Sequence, residues 1–101
     1  MQIPKKLKIG AFTIPVKFEE ELELDGAACN GIWCSRELEI KLDPALSEQH
    51  RAATLLHEIL HAIFWTSGLT WALEETCEET VVTALSYGLY QVIKDNKLVF
   101  V

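Results

Sequence analysis

The feature that most constrains this chain is a pair of histidines four residues apart inside an apolar run. Residues 54–63 read TLLHEILHAI, and His57, Glu58 and His61 are the only strongly polar side chains across 52–65. On a helix, residues four apart lie on one face, about 6 Å apart along the axis. Burying three polar groups costs free energy unless they are paired. The run therefore predicts a buried helix with a polar site on one face.

The residue types in this site are those of a zinc centre. Imidazole nitrogen is a good zinc ligand, and a catalytic zinc takes three protein ligands and keeps one position open. We predict that His57 and His61 hold one Zn²⁺ ion and that Glu58 is the general base toward water. The alternative is a core helix whose two histidines are satisfied by hydrogen bonds. His50 lies about 10 Å along the helix from His57 and is interpreted as a surface residue.

Length and charge limit the classes of protein. The chain has 101 residues, which suits one domain over 1–101. Its net charge of −6 argues against a nucleic-acid partner, because it has no basic field for phosphates. No apolar run is long enough to span a membrane, and the N-terminus lacks the pattern of a signal peptide. Cys29, Cys34 and Cys77 are an odd count, interpreted as reduced thiols of a cytoplasmic protein.

The chain before the histidine pair predicts two β-hairpins. Alternating apolar residues predict strands over 6–9 and 12–18 around a Gly-Ala turn, and a second pair over 30–35 and 37–42. Leu22 and Leu24 are expected to continue a strand toward an Asp-Gly turn. Pro15 favours an edge position or a bulge, because proline cannot donate to a strand ladder.

The rest of the chain predicts two long helices. Ser47 is a suitable N-cap for a helix over 47–66, and Gly68 suits its C-terminal end. A second helix is expected to start within 70–75 and to run to about residue 94, followed by a short strand over 97–101. The predicted fold class is therefore α+β, with a small, mainly antiparallel sheet packed on two long helices.

A third zinc ligand is expected from the second helix, which begins with several glutamates. Helical phase predicts one apolar face on that helix, formed by Val81, Val82, Leu85, Leu89, Val92 and Ile93. Glu78 lies near the centre of this face, where a carboxylate is costly unless paired or bound to metal. We therefore predict His57, His61 and Glu78 as the metal ligands, with Glu79 and then Glu75 as alternatives.

The motif His57-Glu58-x-x-His61, followed by a helix carrying Glu78, resembles the gluzincin zinc metallopeptidases. The short chain and its order of elements are similar to the ImmA/IrrE-type peptidases and to small phage- or prophage-encoded metallopeptidase-like proteins. The resemblance covers about residues 6–96. It implies a minimal zincin-like core that hydrolyses peptide bonds with zinc-activated water. The implied partner is a peptide or protein substrate, bound in extended form along the sheet edge.

Two other functions remain open. The chain is short enough to be a zinc-binding regulatory or interaction module with weak or no hydrolysis. A metal-free helical adaptor is a further alternative. The sequence does not determine the oligomeric state or the substrate.

Aromatic residues outside the motif have two interpretations each. Trp65, Leu69, Trp71 and Leu73 surround the turn between the helices and either cap the small core or form a partner surface. Tyr87 and Tyr90 fall off the predicted apolar face of the second helix. They are interpreted as amphipathic residues at its boundary rather than as donors to a reacting oxygen.

Overall fold

Residues 2–96, which this computed structural model describes, form six strands and three helices. Their bounds are β1 (Lys6–Ile9), β2 (Phe12–Phe18), β3 (Glu23–Leu24), β4 (Ala27–Ala28), β5 (Gly31–Cys34), β6 (Glu39–Leu42), α1 (Glu48–Ser67), α2 (Leu69–Ala72) and α3 (Glu75–Asn96). The α+β class and both long helices are thus confirmed. The strand predicted over 97–101 lies outside the described residues.

The main sheet has the strand order β1-β2-β6-β5. Both predicted hairpins are confirmed, because β1 pairs antiparallel with β2 and β5 pairs antiparallel with β6. The hairpins join through a parallel pairing that sets Val16 opposite Ile40, so the sheet is mixed. This pairing begins only after Pro15, which explains how an inner strand tolerates a residue without an N–H group.

The strand predicted over 37–42 is shorter in the structure. It begins at Glu39, because Leu38 has a φ of 55° and belongs to the preceding turn. Glu39 is also only 7 % exposed, although the alternation places it on the solvent side. Its carboxylate lies 2.6 Å from Nζ of Lys17 on the neighbouring strand β2. A charged side chain on an inner strand is tolerated here because the adjacent strand supplies its counter-charge.

Helix α1 is capped as the sequence predicts. The hydroxyl of Ser47 accepts a hydrogen bond from the backbone N–H of His50, and Gly68 has a left-handed φ of 85°. The core lies between α1 and the sheet. It is formed by Ile9, Ile14, Val16, Ile40, Leu42, Leu55 and Ala62. Because α1 packs on both the sheet and α3, its residues near the middle of the helix are enclosed from two sides.

The predicted apolar face of α3 is confirmed at Val82 and wrong for four of its six members. Only Val82 and Ser86 are fully buried on this helix, whereas Val81, Leu85, Leu89 and Val92 are 38 to 51 % exposed. The helix packs against α1 along a narrow line of residues four apart, which includes Glu78 and continues through Val82 and Ser86. Hydrophobicity alone therefore misplaces the buried face, since the polar Ser86 is buried while the neighbouring Leu85 is exposed.

The aromatic residues around the inter-helix turn divide into two groups. Trp65 packs against Phe12 and Trp33, with ring centroids 5.9 and 6.0 Å away. Trp71 is 80 % exposed, and its neighbours Leu69 and Leu73 are also exposed. The core-capping interpretation thus holds for Trp65 and is wrong for Trp71.

Gly31 brings the edge strand β5 close to α1. A Cβ at this position would lie 2.7 Å from Cγ2 of Thr54, which is shorter than any ordinary contact. Glycine is therefore required for the close approach of the strand to the turn of α1 that precedes His57. This contact fixes the edge of the sheet beside the predicted site.

Candidate metal centre

Helix α1 presents both histidines toward α3. The ring centroids of His57 and His61 are 4.9 Å apart, and both side chains are largely buried. Their spacing follows directly from one helical turn. Burial lowers the pKa of His57, an effect that the nearby His61 reinforces and the carboxylate of Glu79 opposes. A lowered pKa favours the neutral imidazole, which is the form that binds metals.

One carboxylate of α3 reaches both histidines. The Oε1 atom of Glu79 lies 3.0 Å from Nε2 of His57, and its Oε2 atom lies 2.8 Å from Nε2 of His61. Donor atoms from these three residues all lie within 4.8 Å of one another. Two imidazole nitrogens and a carboxylate oxygen thus face one shared space, and they form a three-ligand set of the kind used by catalytic zinc.

Glu78 occupies a different position from that expected of a third ligand. Its Oε2 atom lies 2.6 Å from Nδ1 of His61, on the side of the ring away from Glu79. The side chain of Glu78 is only 13 % exposed, so its predicted place on the inner face of the helix agrees with the structure. A carboxylate that accepts the second N–H of a metal-binding histidine fixes the tautomer and orientation of the ring.

The protonation of His61 tests whether these residues fit a metal ion. A neutral imidazole has one N–H, and donation from Nδ1 to Glu78 leaves a lone pair on Nε2. This lone pair and the carboxylate of Glu79 then face each other at 2.8 Å, as two electron-rich groups. A cation between them removes the repulsion. Without a metal, both contacts of His61 become hydrogen bonds only when each ring nitrogen carries a proton. A divalent ion on Nε2 would take the place of one of these protons and keep the contact of Nδ1 with Glu78, so these residues fit a metal ion.

Glu58 is the most deeply buried polar residue beside the histidines, at 7 % exposure. Burial raises the pKa of its carboxyl group to about 7, with a further rise from the charge of Glu79. The proximity of His61 and a hydrogen bond from the backbone of Trp33 act in the opposite direction. A carboxyl group whose pKa lies near neutrality can both accept and return a proton, as general catalysis requires.

The raised pKa of Glu58 predicts a pH dependence of stability in metal-free protein. The folded state holds this proton more tightly than the unfolded chain, whose pKa is near 4.5. The stabilisation is therefore complete below pH 4.5 and is lost as the pH rises through about 7. Between these two pH values, the unfolding free energy of wild-type protein should fall by on the order of 3 kcal/mol relative to that of Glu58→Gln.

Urea unfolding of chelator-treated wild type and Glu58→Gln at a series of pH values measures this difference. His57, His61 and Glu79 are present in both proteins, so the comparison isolates the Glu58 carboxyl group together with its interactions with them. A difference in unfolding free energy that stays constant with pH would contradict the raised pKa.

A cleft of about 530 Å³ opens onto these residues. Its walls are the edge strand β5, the histidine-bearing face of α1 and the first turns of α3. Tyr87 is 60 % exposed and lines this cleft, although the sequence pattern gave it no role. His50 also lines it but lies outside the donor cluster, in agreement with its predicted distance from His57 along the helix.

A second group of donor atoms comes from Cys34, Glu37 and Glu39. The carboxylate of Glu39 is already paired with Lys17 at 2.6 Å and lies 3.9 Å from Lys41. Burial raises the pKa of the Cys34 thiol, and the surrounding carboxylates add to the rise against the effect of Lys41. The protonated thiol is a poor ligand, so this group is explained by its ion pairs.

No protein-family model, curated protein or solved structure matches this chain. Among residues 2–96, none of the helices combines the length and the apolar character needed to cross a membrane.

Proposed function

We propose that this protein is a zinc-dependent peptidase with a minimal zincin-like core. The main support is that the carboxylate of Glu79 lies within 3.0 Å of the Nε2 atoms of His57 and His61. The buried Glu58 lies beside them. We assign His57, His61 and Glu79 as the metal ligands and Glu78 as the residue that orients His61. This assignment follows the contacts of the two carboxylates and departs from the sequence-based choice of Glu78 as ligand.

A zinc ion held by these residues would supply an electrophile for the peptide carbonyl and an acidified water. Glu58 accepts the proton of the attacking water and passes it to the leaving amine. Glu58 is only 7 % exposed and lines the same cleft as the histidines, so both transfers would take place away from bulk water. Glu78 holds the ring of His61 through Nδ1, which leaves Nε2 free to donate its lone pair.

The edge strand β5 offers the surface for an extended peptide. It is the last strand of the sheet and lines the cleft with Gly31, Ile32 and Trp33. An exposed strand edge can pair with a substrate backbone and set its register against the catalytic residues. The hydrogen bond between the backbone of Trp33 and Glu58 ties this edge to the predicted base.

A catalytic zinc site accounts for the position of Glu58 better than a structural zinc site does. A structural site normally has four protein ligands, and it needs no further buried carboxyl group such as Glu58 beside them. The geometry therefore favours an enzyme over a zinc-binding interaction module. The two functions share the metal ligands and are separated by measured turnover.

Zinc content measures the ligand assignment directly. We expect about one zinc ion per chain in wild-type protein, and loss of most of it in Glu79→Ala, because a three-ligand site loses one ligand. Glu78→Ala should retain zinc with about 10- to 100-fold weaker affinity, since only the support of His61 is removed. Glu74→Ala is the matched control and should bind zinc normally, because Glu74 immediately precedes α3 and lies outside the cleft.

Elemental analysis after dialysis, followed by competition with a chelator of known affinity, separates these variants. Zinc loss in Glu78→Ala with retention in Glu79→Ala would reverse the two roles. Absence of zinc in reconstituted wild-type protein would contradict the proposed function altogether.

A further inference from the structure

The cleft has a strongly asymmetric charge. Glu58, Glu75, Glu78 and Glu79 line it, and none of its lining residues within 2–96 is a lysine or an arginine. A divalent ion would offset two of these four carboxylates and leave an excess of negative charge. The whole chain also carries a net charge of −6. A concave site lined by one sign of charge concentrates ligands of the opposite sign.

Three of the four carboxylates have a task in the proposed site, and Glu75 has none. Glu58 is buried as the base, while Glu78 and Glu79 contact the histidines. Glu75 is exposed, and its side chain forms no hydrogen bond or ion pair with another residue in the described part of the chain. It precedes Glu78 and Glu79 by three and four residues, so it lies one helical turn away on the same face.

We propose that the cleft selects peptides with a lysine or arginine side chain beside the scissile bond, and that Glu75 binds this cationic group. The inference rests on the proposed peptidase function and adds its substrate class. An unpartnered carboxylate one turn from the metal ligands is placed to meet a substrate side chain while β5 holds the backbone. The absence of basic residues from the described walls leaves no internal cation to compete for it.

Three further titratable residues line the cleft without a role in the site: Cys29, His50 and Tyr87. His50 is exposed and lies on α1, more than one turn before His57. All assays are run at one pH, so the charge of His50 is the same in every comparison.

The test uses pairs of short alanine-rich peptides, acetylated and amidated to remove terminal charges. Each pair differs only in lysine against norleucine, which keeps the aliphatic stem and removes the ammonium group. The pair is placed at each position in turn. We measure kcat/KM for zinc-loaded wild type, and separately the binding of the same peptides to zinc-loaded Glu58→Gln.

We expect wild type to prefer one lysine position by about two- to fivefold, as a partly exposed ion pair would give. Glu75→Gln should bring this ratio close to one, and raised salt should reduce it in wild type. Glu74→Gln is the matched control, since it removes the same charge from the adjacent residue outside the cleft. It should keep the preference.

Equal cleavage of lysine and norleucine peptides at every position would overturn the substrate class. A lysine preference that survives in Glu75→Gln would overturn the role of Glu75. A lysine preference in binding without any hydrolysis by wild type would support the cationic site and contradict the peptidase. A fall in stability of Glu75→Gln with an unchanged peptide ratio would show that this carboxylate only supports the start of α3.

Discussion

Glu58→Gln is expected to lower peptide hydrolysis by about 100- to 10,000-fold while zinc stays bound. The substitution keeps the size of the side chain and replaces the carboxylate, which accepts and returns a proton, with an amide that cannot do so. Zinc should remain because the donor atoms of His57, His61 and Glu79 are unchanged. Steady-state hydrolysis of an unfolded protein or a peptide mixture, with elemental analysis of the same sample, measures both properties.

Glu39→Gln is the control for loss of a buried carboxylate. Glu39 and Glu58 are both 7 % exposed, but Glu39 lies on β6 outside the cleft. Its substitution should affect stability through the pair with Lys17 and leave the turnover of folded protein close to wild type. Full activity in Glu58→Gln would exclude the assigned base. Stable zinc without turnover in wild type would favour the interaction module.

The largest effect on stability is expected for Leu55→Ala, which should cost about 2–5 kcal/mol of unfolding free energy. Leu55 is 2 % exposed and belongs to the core between α1 and the sheet. The truncation removes apolar contacts and leaves a cavity that a small core has little means to fill. Denaturant unfolding monitored by circular dichroism gives the difference in free energy.

Leu85→Ala on α3 makes the same chemical change at a position that is 51 % exposed. It should change the unfolding free energy by no more than about 0.5 kcal/mol, as surface substitutions usually do. Comparing Leu55→Ala with Leu85→Ala thus tests whether Leu85 lies on the exposed side of α3. Comparable losses of unfolding free energy in both variants would show that Leu85 is buried, as the hydrophobic pattern of α3 predicts.

Features that depend on neighbouring residues in sequence were predictable from the sequence. The two hairpins, the cap at Ser47 and the end of α1 at Gly68 follow from alternation and from local backbone preferences. The approach of His57 to His61 is also local, since one helical turn enforces it. These features require no knowledge of which surfaces meet.

Features that depend on how two elements pack were decided only by the tertiary structure. The parallel pairing of β2 with β6 joins segments more than twenty residues apart, and neither strand's alternation encodes it. The buried line of α3 runs through Ser86, because the narrow contact with α1 selects residues four apart rather than the most apolar ones.

The choice between the two neighbouring glutamates shows the same division. The sequence determined that a carboxylate at the start of α3 would meet the histidine pair, and it placed Glu78 on the inner face correctly. The packing of α3 on α1 decided which ring nitrogen each carboxylate reaches: Glu78 contacts Nδ1 of His61, and the more exposed Glu79 spans both Nε2 atoms. Burial can be inferred from helical phase, whereas this contact depends on the relative position of two helices.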